Sequence, residues 1–216
     1  MVDDWLQDPL MVSQEGHLRY RQSKSLPLDA QREWESFHFS TRLKLEAADH
    51  FCRLLIGASS MPYEMGLPLL AFRQTKWYLD AFFFELVSAY DTLLQELNVL
   101  CAINLDMEKV NWSSIRTRLP TPLVDLMEKE RGAEWFKKVH WYRNRATHHM
   151  YIPGGWGKGG WGEMPWDYDH HQVKLTYFDT DAKEGREEDI RVCSDYLKKM
   201  TEHIHTLWCK MAKDFE

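Results

Sequence analysis

Cysteine is scarce and scattered: Cys52, Cys101, Cys193 and Cys209 are the four in 216 residues, with no CxxC pair. In a chain of this length that spacing excludes a disulfide frame and reads as free thiols in a reducing cytoplasm. No apolar run approaches the roughly 18–20 residues needed to cross a bilayer, so no membrane partner is expected. The amino terminus, MVDDWLQDPLMVSQEG, has no basic region leading into an apolar stretch and does not read as a secretory signal. G-x-S-x-G and P-loop motifs are absent, so nothing marks a nucleophile or a triphosphate cradle. Excess positive charge is missing too. The net charge of −6 excludes a protein coated in cations for indiscriminate nucleic-acid binding.

What is present is core material. The hydrophobic fraction is 44%, with ten tryptophans and ten phenylalanines, enough for a packed core without disulfide or metal staples. The charge is also uneven. Residues 111–150 hold Arg116, Arg118, Lys129, Arg131, Lys137, Lys138, Arg143 and Arg145 against Asp125, Glu128, Glu130 and Glu134. Eight cations less four anions leave that segment at +4 and the remainder at −10. The positive potential is therefore local.

Residues 1–27 show no period and read as an extended arm; 28–216 read as a single domain. Apolar residues at Leu43, Ala47, Phe51, Leu54 and Ala58 predict an amphipathic helix from about Asp29, with that row facing inward. A second, long helix over about 69–100 is apolar around most of its circumference, which suits a central position. Its polar exceptions, Asp80, Ser88, Asp91, Gln95 and Asn98, form one narrow stripe broken at Phe84. Asn111 is expected to cap a short helix, Thr121-Pro122 to start another, and Gly132 to separate it from a helix at about 133–150. Residues 151–193 then change texture. PGGWGKGGWGEMPWDYD reads as a loop that cannot hold regular structure, and QVKLTYF alternates as a strand. EEDIRVC either completes a hairpin with it or begins the last helix. That helix, about 194–214, places Leu197, Met200, Ile204, Leu207, Trp208 and Met211 on its apolar face. The fold class expected is all-α: a bundle of four to five helices with a small β-hairpin and loop insertion before the last.

The helix at 133–150 contains WYRNRATHHM, followed by Tyr151. On a wheel of about 100° per residue, Trp135, Val139, Tyr142, Ala146 and Met150 form the core stripe. Lys137, His140, Asn144, Thr147 and His148 form the opposite one, with Arg143 at its flank. A permanently charged guanidinium that grips phosphate oxygens, beside an imidazole that titrates near neutrality, is a pairing suited to phosphate chemistry.

RNRATH resembles the R-polar-x-x-x-H signature of the HEPN superfamily (higher eukaryotes and prokaryotes nucleotide-binding), which lies on a late helix of an α-helical bundle. WYLDAFFFELVSAYDTLLQELN is similar to helices of HEPN-like bacterial proteins, and the resemblance covers about residues 40–150. It implies a metal-independent endoribonuclease without cofactor, working as a homodimer on RNA. Arg143 would hold the scissile phosphate, His148 would act as general base or acid for attack by the 2′-OH, and Asn144 would orient the arginine or the phosphate. A toxin or defence role is implied, with an antitoxin protein as a further partner. In the antitoxin-paired members the motif continues as H-x-Y. Counting from His148 that position is Met150, which fails; counting from His149, Tyr151 fits. The wheel favours His148. The alternative is a non-catalytic HEPN module that binds nucleotide, nucleic acid or a partner. His140 and Arg145 are further supporting candidates on the same helix.

Three other groups deserve weighing. Asp80, Glu85 and Asp91 lie on the long apolar helix, where a buried acid needs a partner: Arg143 or Arg145, or Lys76 one turn from Asp80. His148, His149, His170 and His171 with Asp167 and Asp169 invite a metal-hydrolase reading, but they lack E-x-x-H or H-x-x-x-H spacing, so no metal is expected. Trp156, Trp161 and Trp166 with Lys158 could stack on single-stranded RNA or anchor their loop.

Overall fold

A computed structural model of the chain describes residues 26–59, 68–148, 154–156, 173–179 and 184–214. The described elements are α1 (Leu28–Ser59), α2 (Pro68–Leu100), α3 (Trp112–Ile115), α4 (Thr121–Gly132), α5 (Glu134–His148), β1 (Gly154–Trp156), β2 (Val173–Asp179), β3 (Glu184–Asp189) and α6 (Val192–Asp214). Single 3-10 turns sit at Met107–Lys109 and Arg116–Arg118. The fold class is all-α and helical-bundle, with a small antiparallel sheet before the last helix.

Local chemistry sets most of the boundaries. Asn111 caps α3 reciprocally: its side chain accepts from the Ser114 N–H at 3.1 Å while the Ser114 hydroxyl accepts from the Asn111 N–H at 3.0 Å. Pro122 sits in the first turn of α4, where a missing N–H costs nothing. EEDIRVC divides between its two readings. Its first three residues end β3, and Asp189 then accepts from the Arg191 N–H at 2.8 Å just before α6 opens at Val192.

The sheet order is β1-β2-β3, all antiparallel. Leu175 of β2 lies between Gly154 and Glu188 in register and is buried. This corrects the reading of the Gly/Trp segment as wholly irregular. Gly154–Trp156 form an edge strand, because backbone groups alone suffice to extend a sheet whose inner strand is already in place.

By contact the chain separates into two compact units, and the three longest helices supply segments to both. Unit 1 takes residues 1–46, 86–133 and 198–216; unit 2 takes 47–85 and 134–197. Trp34, Leu45, Leu93, Leu97, Ile115, Met127, Ile204 and Leu207 are core residues of unit 1. Leu55, Phe82, Phe83, Val139, Tyr142, Leu175, Cys193 and Leu197 are core residues of unit 2. Every apolar position expected on the inner face of α6 is buried. The inward row of α1 differs from expectation. Leu43 is 45% exposed, while Trp34, His38, Thr41, Leu45, Ala48, Cys52 and Leu55 are buried. Three polar side chains on that buried face, His38, Thr41 and Asp49, hide it from an apolar pattern.

Candidate functional site

The helix α5 lies in unit 2. Glu134 in its first turn complements the positive end of the helix dipole. Trp135, Val139 and Tyr142, at i, i+4 and i+7, are buried as the wheel requires. Tyr142 stacks on Phe83 of α2 at 4.7 Å between ring centroids. Its hydroxyl donates to Glu188 Oε2 at 3.0 Å, and the Tyr196 hydroxyl of α6 donates to the same oxygen at 2.7 Å. Lys138 donates to Glu188 Oε1 and also pairs with Glu134. One carboxylate on β3 thus ties α5 and α6 to the sheet. Burial, reinforced by the Glu188 charge, pushes both tyrosine hydroxyls above their ordinary range. Burial lowers the Lys138 ammonium, but its hydrogen bonds to Glu188 and Glu134 outweigh that and leave it raised. This centre anchors α5 firmly, a precondition for any site built on its outer surface.

On that surface Arg143 is half-buried and Asn144 exposed. Arg143 Nη1 donates to Asn144 Oδ1 at 3.3 Å, so the asparagine holds the guanidinium from the adjacent position. His148 is the last residue of α5; its side chain, together with His149 and Tyr151, lies outside the described residues. His140 is half-buried, with its ring 4.4 Å from that of Phe136. Arg145 holds its guanidinium carbon 5.9 Å from the ring centroid of Trp141. Trp141 meets Tyr177 of β2 at 5.2 Å and 72°.

The acids of α2 are distributed differently from expectation. Asp91 is exposed and belongs to unit 1, so it is not a buried acid in need of a partner. Asp80 and Glu85 are half-buried in unit 2. Burial raises the Asp80 carboxyl above its ordinary value, against the opposing pull of Lys76 one turn earlier. The same burial lowers Lys76, opposed by Asp80. The charge that Asp80 feels is thus Lys76, and Arg145 makes no ion pair with any acid among the described residues.

Two carboxylate centres escaped the sequence reading: half-buried Glu188, and Glu96 in unit 1, whose exposure is 0%. Glu96 Oε2 accepts from His38 Nδ1 at 3.0 Å and from Trp208 Nε1 at 3.0 Å, and Oε1 accepts from the Thr41 hydroxyl at 2.5 Å. The His38 ring lies 5.0 Å from Trp34 and 4.4 Å from Trp208. An acid inside LLQELNVL, with leucines at i−3 and i+1, was the available signal. Solvent does not reach His38 or Glu96, so this centre holds helices together and does no chemistry on a ligand. Glu35 and His38 have E-x-x-H spacing, but Glu35 is exposed and bonded to Gln31 while His38 turns inward. Among the described residues no three His, Cys, Asp or Glu side chains are grouped to hold a metal, and no helix is long and apolar enough to cross a membrane. The residues of the proposed His148–His171 cluster lie outside the described side chains, as do Trp156, Lys158, Trp161 and Trp166.

Comparison with known proteins adds no relative: no family model, no curated protein and no solved structure matches this chain.

Proposed function

We propose that the outer face of α5 is the phosphate-handling site of a HEPN-type, metal-independent endoribonuclease that acts as a homodimer in the cytoplasm, in a toxin or defence role. The observation that carries this reading is the Arg143–Asn144 hydrogen bond: an arginine pre-oriented by the polar residue that follows it, on the helix that ends at His148. Positioned guanidinium groups stabilise charge where it builds up on a phosphate, at no cost in reorganisation during the reaction. In the proposed cleavage the 2′-oxygen bonds to phosphorus as His148 accepts its proton. The bond to the 5′-oxygen then breaks, and that oxygen takes a proton from an imidazolium. The products are a 2′,3′-cyclic phosphate and a 5′-hydroxyl. On α5 itself Lys137, Lys138, Arg143 and Arg145 outnumber its one acid, Glu134, a local excess of positive charge in an acidic chain that suits an anionic substrate.

The test is cleavage of a mixed-sequence RNA in excess EDTA, with product ends analysed. Wild type is expected to give 2′,3′-cyclic ends. Arg143→Ala is expected to lower the rate by about 100- to 1,000-fold and His148→Ala by about 100- to 10,000-fold. A folded wild type without cleavage would leave the family's non-catalytic role, binding of nucleotide or of a partner such as an antitoxin, as the reading to pursue.

A further inference from the structure

Beside the proposed catalytic residues, α5 carries a second arrangement that the cleavage chemistry does not use. Trp141 lies one turn before Arg145, and at about 100° per residue it shares a helix face with Lys137, Asn144 and position 148. Its ring is held by neighbours that meet it at steep angles: Tyr177 at 72° and Tyr142 at 82°. Neither stacks on it. The group that does approach the ring is the Arg145 guanidinium, at 5.9 Å.

Several described cations of unit 2 have acid partners. Arg53 pairs with Asp49, Lys138 with Glu134 and Glu188, and Arg191 with Asp189. Arg145 is half-buried, its Nε is enclosed without an acceptor, and the Trp141 ring is the partner that the described residues give it. A guanidinium has five N–H donors and always carries its charge, so enclosing its Nε–H without an acceptor is unfavourable, and the group is suited to receive an anion. A tryptophan supplies what the other half of a nucleotide needs, since every base has a face that stacks on an aromatic ring.

We infer that Trp141 and Arg145 form a subsite for one nucleotide of single-stranded RNA, Trp141 stacking on the base and Arg145 binding the adjacent phosphate. This rests on the ribonuclease reading for the choice of RNA, and it places an unpaired nucleotide within one helical turn of the Arg143–Asn144 pair. It also predicts selectivity by strandedness, because a base locked in a duplex cannot present its face to Trp141.

The experiment is fluorescence anisotropy with a 5′-labelled single-stranded 2′-O-methyl RNA, which binds but has no 2′-hydroxyl to attack with. Wild type, Trp141→Leu, Arg145→Gln and Arg143→Ala are compared, with the duplex of the same sequence as a second probe and melting curves for each variant. Trp141→Leu and Arg145→Gln are each expected to weaken single-strand binding at least about fivefold. Arg145→Gln should also lower the slope of log affinity against log salt by about one. If Trp141→Leu is unfolded, Arg145→Gln decides alone. Unchanged binding in the folded variants, equal binding of the duplex, or no binding by wild type overturns the subsite. The two readings separate cleanly: loss of binding without wild-type cleavage of the unmethylated strand keeps the subsite and removes the ribonuclease. Cleavage with unchanged variant binding does the reverse.

Discussion

Glu96 shows how much a single residue can settle. Its carboxylate accepts from His38, Thr41 and Trp208, which sit on two other helices, and no other described side chain gathers three donors from so far along the chain. Replacing it with alanine leaves the indole N–H and the imidazole N–H buried without an acceptor, so Glu96→Ala is expected to cost about 3–5 kcal/mol. Glu96→Gln keeps the volume and one acceptor oxygen, and a loss of about 1–2 kcal/mol is expected. Urea unfolding of the two variants checks this; equal small losses would mean that the centre contributes packing alone. The residue was not legible because its meaning comes from partners 55, 58 and 112 positions away. A periodicity reading of α2 sees only that Gln95 and Asn98 share a polar stripe, and it passes over the acid between them. Arg143 and Asn144 differ in this respect: they are neighbours in sequence and bonded to each other, so the motif and its geometry can be read at short range.

The end of α2 illustrates what an element requires of one position. Ile103 N–H bonds to Asn98 C=O at 2.9 Å and Ala102 N–H to Val99 C=O at 3.0 Å, the paired bonds that close a helix with a left-handed residue. That residue is Ala102, at φ 48°, where glycine is usual. Asn98 completes the stop by exchanging two hydrogen bonds of 3.0 Å with the Leu105 backbone. The left-handed conformation costs an L-residue roughly 1–2 kcal/mol, partly recovered through the greater freedom of glycine in the unfolded chain. Ala102→Gly is therefore expected to stabilise the protein by about 0.5–1 kcal/mol, seen as a higher denaturation midpoint at unchanged slope. A lower midpoint would show that the side chain is better tolerated there than its φ implies. Elements whose inner faces carry an unbroken apolar row, such as Leu197 to Met211 of α6 and the 135–139–142 row of α5, were legible from spacing alone, even though α6 also buries Thr201 and His203. The inner face of α1 was not, since His38, Thr41 and Asp49 interrupt it, and β1 was not, since glycines carry no alternation to read.

At the scale of the whole molecule, the buried titratable groups give the protein a stability window with separate acid and alkaline edges. His203 in unit 1 is buried with neither ring nitrogen hydrogen-bonded. Its ring lies 6.1 Å from that of Tyr90. Burial, aided by the Arg131 charge, lowers it from 6.5 to about 4. The unfolded chain therefore binds a proton near pH 6.5 that the folded chain refuses until about pH 4, so stability falls as pH drops through that interval. At about 1.4 kcal/mol per pH unit the full loss is about 3 kcal/mol. The alkaline edge has the opposite sign. Burial holds Tyr90, bonded to Arg131, up to about 12 and raises Tyr142 and Tyr196 as well. Unfolded tyrosines lose their protons near pH 10 while these hydroxyls keep theirs, so stability is intact below pH 10 and declines above it. Denaturant unfolding from pH 4 to pH 11 should trace a plateau with both declines. His203→Leu should flatten the acid limb relative to wild type and leave the alkaline limb unchanged, while Tyr142→Phe should flatten only the alkaline limb. The comparison of slopes isolates each group from the ordinary carboxylates, which titrate in every variant alike. An acid limb that is equally steep with and without His203 would place the missing proton elsewhere, and the neutral, unbonded imidazole would then be no more than a packing residue beside Tyr90.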